Sequence, residues 1–217
     1  RWFRCLAWSP ALASSECVWQ TGVVWGLSMD GSCVKAFCVR PYMWEEQGVV
    51  LGEIHGLLIE QEGEPRSAAD EEGPCHLRVV LQSSKEETGE FDRQVVMAVM
   101  GKRLFVWRVM LCPDELGCPQ VFSAQQLPTT NLPRNALSIA TLDPLDHSWR
   151  MLAGSSQVIV TGGERGLIDV HEIRDSVVYK DTFKAEGDDS VIVCDMTFMT
   201  AWELVLLVAD ESGVTTG

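Results

Sequence analysis

The clearest hydrophobic pattern in the chain lies between residues 157 and 173, where two apolar runs flank a segment that contains three glycines. The second run alternates between apolar and polar positions from Ile168 to Ile173. An alternation with a period of two is typical of a β-strand, and glycine accepts the positive φ angles that tight turns require. The stretch therefore predicts a β-hairpin.

The same order of strand, polar corner, strand, glycine-containing turn and strand recurs along the chain. Asp30-Gly31, Gly101-Lys102 and the segment 210–213 occupy the turn position in the other three units. An apolar period of 3.6 residues is nowhere sustained over the length that a helix needs. Recurrent short strands separated by turns predict an all-β protein. In the last unit we expect the third strand to begin only where the sequence ends.

The charge of the chain is concentrated in two polar segments. The net charge is −14, and the stretch from Glu60 to Asp92 holds ten acidic and three basic residues, which is half of that charge. We expect a single domain over residues 1–217 with an acidic loop insert at 61–75 and a polar acidic loop at 83–93. Acidic loops attract basic partners and repel nucleic acid phosphates and anionic membranes.

The acidic residues and tryptophans of the predicted loops indicate that the loops bind a partner. Tryptophan in a loop is a candidate anchor for a partner, because tryptophan is enriched among the residues that dominate interface energies. The candidate partner-binding residues are Glu62, Glu64, Asp70, Glu71, Glu72, Glu86, Glu87, Trp44 and Trp149. A solvated loop without a partner is the alternative interpretation of the same acidic segments.

Three segments resemble the repeats of WD-repeat β-propellers. The run from Cys5 to Pro10 resembles the second strand of such a repeat with its corner. The run from Leu104 to Val109 resembles the strand that ends in Trp-Asp, with Arg108 in place of the aspartate, and His171-Glu172 stands at the same place in a later unit. The Gly-His dipeptide of the family is absent.

The resemblance implies a β-propeller with about four recognisable blades. Successive turns are 71, 63 and 46 residues apart, and only the last spacing is near the ~40–45 residues of one blade. The acidic insert and the region 112–133 account for the longer intervals. Four blades do not close a usual ring, so the resemblance implies part of a larger propeller or a ring that a partner completes.

Signals for catalysis are weak in this sequence. No histidine stands beside a serine or cysteine in a nucleophile motif, and the glycines at 162–166 lack the Gly-Lys-Ser/Thr ending of a phosphate loop. The eight cysteines show no zinc-binding spacing, so we expect neither a metal nor a cofactor. We interpret the cysteines as reduced thiols, although Cys112 and Cys118 can form a bridge in an oxidising compartment.

The sequence therefore predicts a non-catalytic scaffold for protein–protein interaction, a subunit of a multisubunit complex in the cytoplasm or nucleus. Its expected partners are protein subunits, some of them basic, with neither direct nucleic acid binding nor membrane insertion. One alternative is an enzyme on a propeller or sandwich with its site near Asp143, Asp146 and His147. A second alternative is a secreted all-β domain stapled by cysteine pairs.

Overall fold

The structure, a computed structural model, contains only β-strands as regular elements in the part of the chain that it describes. The described residues are 3–10, 22–40, 49–59, 73–82, 92–115, 118–141, 157–185, 187, 189–200, 203–210 and 213–216. The all-β prediction is thus confirmed. These residues include no helix of the length and hydropathy that crossing a bilayer requires.

Sixteen strands follow one another along the described residues. They are β1 (Phe3–Pro10), β2 (Gly22–Ser28), β3 (Cys33–Arg40), β4 (Val49–Leu58), β5 (Cys75–Gln82), β6 (Asp92–Met100), β7 (Arg103–Pro113), β8 (Pro119–Gln126), β9 (Thr130–Asn131), β10 (Ser138–Thr141), β11 (Gln157–Gly162), β12 (Leu167–Ile173), β13 (Val177–Lys184), β14 (Ile192–Thr200), β15 (Glu203–Asp210) and β16 (Gly213–Thr216).

The strands form four sheets in which sequence neighbours are spatial neighbours. The orders are β1-β2-β3-β4, β5-β6-β7-β8, β10-β11-β12-β13 and β14-β15-β16, and the short β9 pairs with β7. We call them the first, second, third and fourth sheets. This repeated meander arises because each strand ends in a short connection that returns the chain antiparallel to itself.

The chain divides into two compact units. The first comprises residues 1–66, 77–98 and 105–126, and the second comprises 67–76, 99–104 and 127–217. The boundary runs through the hairpin of β6 and β7, so the second sheet contributes residues to both units. The single domain over residues 1–217 stays a prediction.

The core of the first unit includes the inner strands of the first sheet. In β2, Val23, Trp25 and Leu27 lie two residues apart and are fully buried. Their neighbours across the strand pair, Val34 and Ala36 of β3, are also fully buried. The alternation places these five side chains on one face of the sheet, where burial of each large apolar group contributes about 1.5–3 kcal/mol.

In the second unit, the predicted hairpin between residues 157 and 173 is present. Strands β11 and β12 pair in continuous register from Gln157 opposite Ile173 to Gly162 opposite Ile168. At the turn, Arg165 and Gly166 have φ angles of 60° and 62°. Both lie in the left-handed region that tight hairpin turns use.

The third and fourth sheets pack against each other through small and medium apolar side chains. Ala140, Val160 and Ile168 of the third sheet form one buried cluster with Val193 and Met196 of the fourth. Gly162 lies at the closest approach, where an added Cβ atom would stand 2.5 Å from Ser138 Oγ and 2.6 Å from Val193 Cγ1. A glycine is therefore required there for the two sheets to meet.

Backbone hydrogen bonds connect hairpin turns to the segments that follow them. The amide of Val193 donates to the Gly163 carbonyl at 3.1 Å, and the amide of Gly166 donates to the Val191 carbonyl at 2.6 Å. In the same unit the amide of Ala136 donates to the Gly101 carbonyl at 3.2 Å. These turns thus fix where the next sheet begins.

The outermost strands carry β-bulges. In β4, a register shift leaves an extra residue between the partners of Ala36 and Phe37. In β8, an extra residue lies between the partners of Met110 and Leu111. In β13, an extra residue lies between the partners of Val170 and His171. A bulge disrupts the ladder locally, and proteins use bulges to protect exposed sheet edges from unwanted pairing.

The longer intervals between turns contain strands of their own. Strand β4 runs from Val49 to Leu58 with two bulges opposite β3. The region 112–133 contains the end of β7 together with β8 and β9. The last hairpin is complete in three strands, since β16 pairs with β15. Short polar strands such as β9 lack a hydrophobic pattern, so periodicity misses them.

We predict that Gly162→Ala lowers the free energy of unfolding by about 1–3 kcal/mol, because its methyl group overpacks the contact between the third and fourth sheets. Gly52→Ala is the matched control, since a Cβ atom at Gly52 meets nothing within 4 Å. Urea denaturation of both variants checks this. Equal stability of the two would contradict the close approach at Gly162.

Candidate functional site

The candidate residues from the sequence lie outside the described residues. This holds for the acidic and tryptophan candidates Glu62, Glu64, Asp70, Glu71, Glu72, Glu86, Glu87, Trp44 and Trp149, and for Asp143, Asp146 and His147 of the enzyme alternative. At the edges of the acidic segments, Cys75 is already the first residue of β5 and Asp92 the first of β6. Two other features of the described chain are candidates for function.

The first feature is an apolar surface on the first sheet. On β1, Leu6 and Trp8 are 59% and 48% exposed, although both are large and apolar. They stand on the same side of the strand, because residues two apart share a face. Pairing places Val24 of β2 and Phe37 of β3 across from Trp8 on that face. We call Phe3, Leu6, Trp8, Val24 and Phe37 the open face.

Glycines on β2 let the side chains of β1 lie close to the sheet. A Cβ atom at Gly22 would collide with the Trp8 ring, and one at Gly26 would stand 2.7 Å from the Phe3 ring. Phe3 also meets Phe37 edge-on with ring centroids 5.5 Å apart. The rings therefore lie low over the backbone of β2, and the open face is a shallow surface.

The charges beside the open face neutralise each other. Lys35 of β3 donates two hydrogen bonds to the carboxylate of Glu53 on β4, at 2.6 and 2.7 Å. Register puts Lys35 opposite Gly26 and Glu53 opposite Phe37, so both lie on the side of the open face. The two charges at the margin of the apolar surface are thus already paired with each other.

The second feature is a buried polar cluster in the second unit, centred on Asp169 of β12. Asp169 is fully buried and accepts a hydrogen bond from Arg134 Nη2 at 3.1 Å and one from Thr182 Oγ1 at 2.5 Å. Arg134 Nε stands 2.8 Å from the second carboxylate oxygen as an ion pair, although its N–H direction does not form a hydrogen bond there. Tyr179 joins Thr182 through its hydroxyl at 2.6 Å.

His171 lies two residues after Asp169 on the same face of β12. It is 1% exposed, packs edge-on against Tyr179 with ring centroids 5.8 Å apart, and neither ring nitrogen has a hydrogen-bond partner within the described structure. Burial lowers the pKa of His171 below its ordinary value of 6.5, while the nearby Asp169 carboxylate acts in the opposite direction. The imidazole is therefore neutral at pH 7.

The chemistry of this cluster is that of structural support. Asp169 Oδ1 accepts from both Arg134 and Thr182, and Oδ2 lies beside Arg134 Nε, so the carboxylate connects the segment before β10 to strands β12 and β13. Within the described ranges, no group of three histidine, cysteine or acidic residues is placed to hold a metal ion. Cys112 and Cys118 are not joined by a disulfide.

The resemblance to WD repeats places His171 at the end of a repeat strand, and there its ring packs against Tyr179. The sequence patterns missed Asp169 and Arg134, which are 35 residues apart. A signal was present for Asp169, since an aspartate inside an alternating strand at a position in phase with His171 and Ile173 predicts burial. No local pattern identifies its partner.

No protein-family model and no curated protein matches this chain. The resemblance to WD repeats accordingly stays a prediction from the segments that carry it.

We predict that Asp169→Ala lowers the free energy of unfolding by about 3 kcal/mol, because it leaves a partly buried guanidinium without its carboxylate. This is the low end of the usual range, since Arg134 keeps some contact with water. In the control Asp189→Ala, the lost partner is the exposed Lys184, and the expected change is about 0–1 kcal/mol. Guanidinium unfolding compares them, and a small loss at Asp169 would refute its central place in the cluster.

We predict that His171 makes the second unit less stable in mild acid. Its folded pKa lies below the unfolded value, so the unfolded chain binds the proton first as the pH falls through 6.5. Stability should then fall by at most about 1.4 kcal/mol per pH unit from this group. Unfolding measured at pH 7.5 and 5.5 checks this. His171→Phe should reduce the difference between the two pH values, and an unchanged difference would contradict the assignment.

Proposed function

We propose that this protein is a non-catalytic scaffold for protein–protein interaction. The open face of the first sheet is the observation that carries the proposal. Exposed large apolar side chains grouped on one sheet face are unfavourable in water and mark interaction sites. Trp8 is the central member, and tryptophan is a frequent anchor of binding energy.

The repeated meander supports a propeller architecture of the WD-repeat type. Each sheet contains a meander in sequence order, of four strands in the first, second and third sheets and of three in the fourth, and β9 adds a fifth strand to the second sheet. Stacked sheets of this kind serve as a rigid support for the loops between strands, where binding residues concentrate. We propose that the four sheets correspond to about four blades of a larger ring or of a ring completed by a partner.

The two acidic segments provide the second element of the proposal. The stretch from Glu60 to Asp92, in which they lie, holds half of the net charge of −14, and a basic protein subunit is the partner that such charge attracts. Electrostatic steering of this kind raises association rates and weakens with salt. We place the assembly in the cytoplasm or nucleus, where the cysteines stay reduced.

We predict that capture of the full-length protein from its own cells recovers a defined set of other subunits at low salt, with the basic ones reduced at high salt. The triple variant Asp70→Asn, Glu71→Gln, Glu72→Gln should lose the same basic subunits at low salt. The control Glu115→Gln, Glu164→Gln, Asp195→Asn removes equal charge from exposed positions elsewhere and should retain them.

Quantitative mass spectrometry of the captured material distinguishes the outcomes. Recovery of the protein alone at both salt concentrations would overturn the scaffold proposal. Equal loss of partners in the triple variant and its control would show that total charge, rather than the acidic insert, attracts the basic subunits.

A further inference from the structure

We propose that the open face is covered by the apolar face of another antiparallel β-sheet, which a partner protein supplies. This inference rests on the proposed scaffold function and specifies the surface and the chemistry of its occupant. The argument begins with the internal repeat, because the chain contains another sheet on the same plan.

The first and third sheets correspond strand by strand around their hairpin turns. The last pair before the turn is Leu27 with Val34 in the first sheet and Gly162 with Ile168 in the third. Counting back from these pairs aligns three members of the open face with residues of the third sheet. Leu6 corresponds to Ile139, Val24 to Ile159, and Phe37 to His171.

These equivalent positions differ sharply in burial. Ile139, Ile159 and His171 are between 0% and 1% exposed, whereas Leu6 is 59% exposed and Val24 and Phe37 are partly exposed. On the opposite face of the first sheet, Trp25, Val34 and Ala36 are fully buried. The same strand plan is therefore covered on both faces in the third sheet and on one face in the first.

The shape of the open face matches a sheet. Gly22 and Gly26 let the rings of β1 lie low over β2, and a low apolar surface suits the flat face of another sheet. Flat apolar faces of two sheets pack at about 10 Å with interdigitating side chains. The contact between the third and fourth sheets, through Val160 and Val193, is an example within this chain.

The charge of the open face selects a neutral occupant. The ion pair of Lys35 with Glu53 beside it is already satisfied by two hydrogen bonds. A charged partner surface would lose hydration at the open face without gaining a counter-charge. This chemistry separates the open face from the acidic segments, which attract basic groups.

A second copy of this chain is the weaker occupant, because the area is too small. Trp8 and Leu6 are each about half exposed, and a whole aromatic side chain buries roughly 150–250 Å². The five residues together therefore offer a few hundred Å² per copy, and two copies would bury less than the roughly 1,200 Å² of a stable interface. A partner that also contacts the acidic segments overcomes this limit.

Site-specific crosslinking in cells tests the proposal. A photoreactive phenylalanine analogue replaces Leu6 in the full-length protein, and the matched control carries it at Phe183 of β13 in the third sheet, which is 56% exposed. We expect position 6 to give a crosslinked peptide from another protein with the alternating apolar pattern of a strand. Position 183 should not give that peptide.

Binding of the purified partner identified in this way completes the test. Leu6→Asp should weaken it roughly 30-fold, as removal of an interface hot spot does, while Phe183→Asp leaves it unchanged. Circular dichroism verifies that both variants fold. A crosslink to a second copy, to a helix or to a loop, or none above the Phe183 control, would overturn the proposed occupant.

The two proposals can fail separately. If capture recovers other subunits but position 6 gives no strand peptide, the scaffold function stands and the sheet occupant is wrong. If capture recovers nothing and position 6 crosslinks within the same polypeptide, both are wrong, and the open face is covered by the protein itself.

Discussion

The structure depends on one constraint, which is that strands with apolar residues on both faces need cover on both faces. In β12, Ile168 faces the fourth sheet, while Asp169 and His171 point to the other side and are equally buried. Parallel sheets meet this requirement with helices, but the described chain has none, so a sheet has to be covered by another sheet. The first sheet has the same two-sided composition, and there Leu6 and Trp8 remain in contact with water.

The hairpin turns make this stacking specific. A turn whose carbonyl groups bond the next segment, as Gly163 does with Val193, fixes the spacing of two sheets at the backbone level. The absence of a side chain at Gly162 then permits the close contact, and the cluster around Asp169 holds the preceding segment in place through Arg134. The turn, the contact at Gly162 and the buried Asp169 all lie in the hairpin of β11 and β12. The segment with the clearest hydrophobic pattern in the sequence therefore also positions its neighbours in the second unit.

Local sequence patterns predict the hairpin fully and the pairing of sheets hardly at all. The alternation from Ile168 to Ile173 and the glycines before it have only one compatible backbone, so β11, β12 and their turn follow from the sequence. The partner of Asp169 is 35 residues away, and β9 has two polar residues without a period. Which face of a strand is covered depends on tertiary contacts, so the apolar positions of β1 do not reveal that Leu6 and Trp8 are exposed.

The two proposed interaction surfaces obey different physics, and this difference is the strongest reason to treat them as parts of one scaffold. Attraction by the acidic segments acts over a Debye length of about 8 Å at physiological salt and brings partners together quickly. The open face acts only in contact, through removal of apolar area from water, and salt does not screen it. If a complex uses both surfaces, charge makes it form rapidly and burial makes it persist. The neutral surface around Trp8 then holds the partner that the charged loops attract.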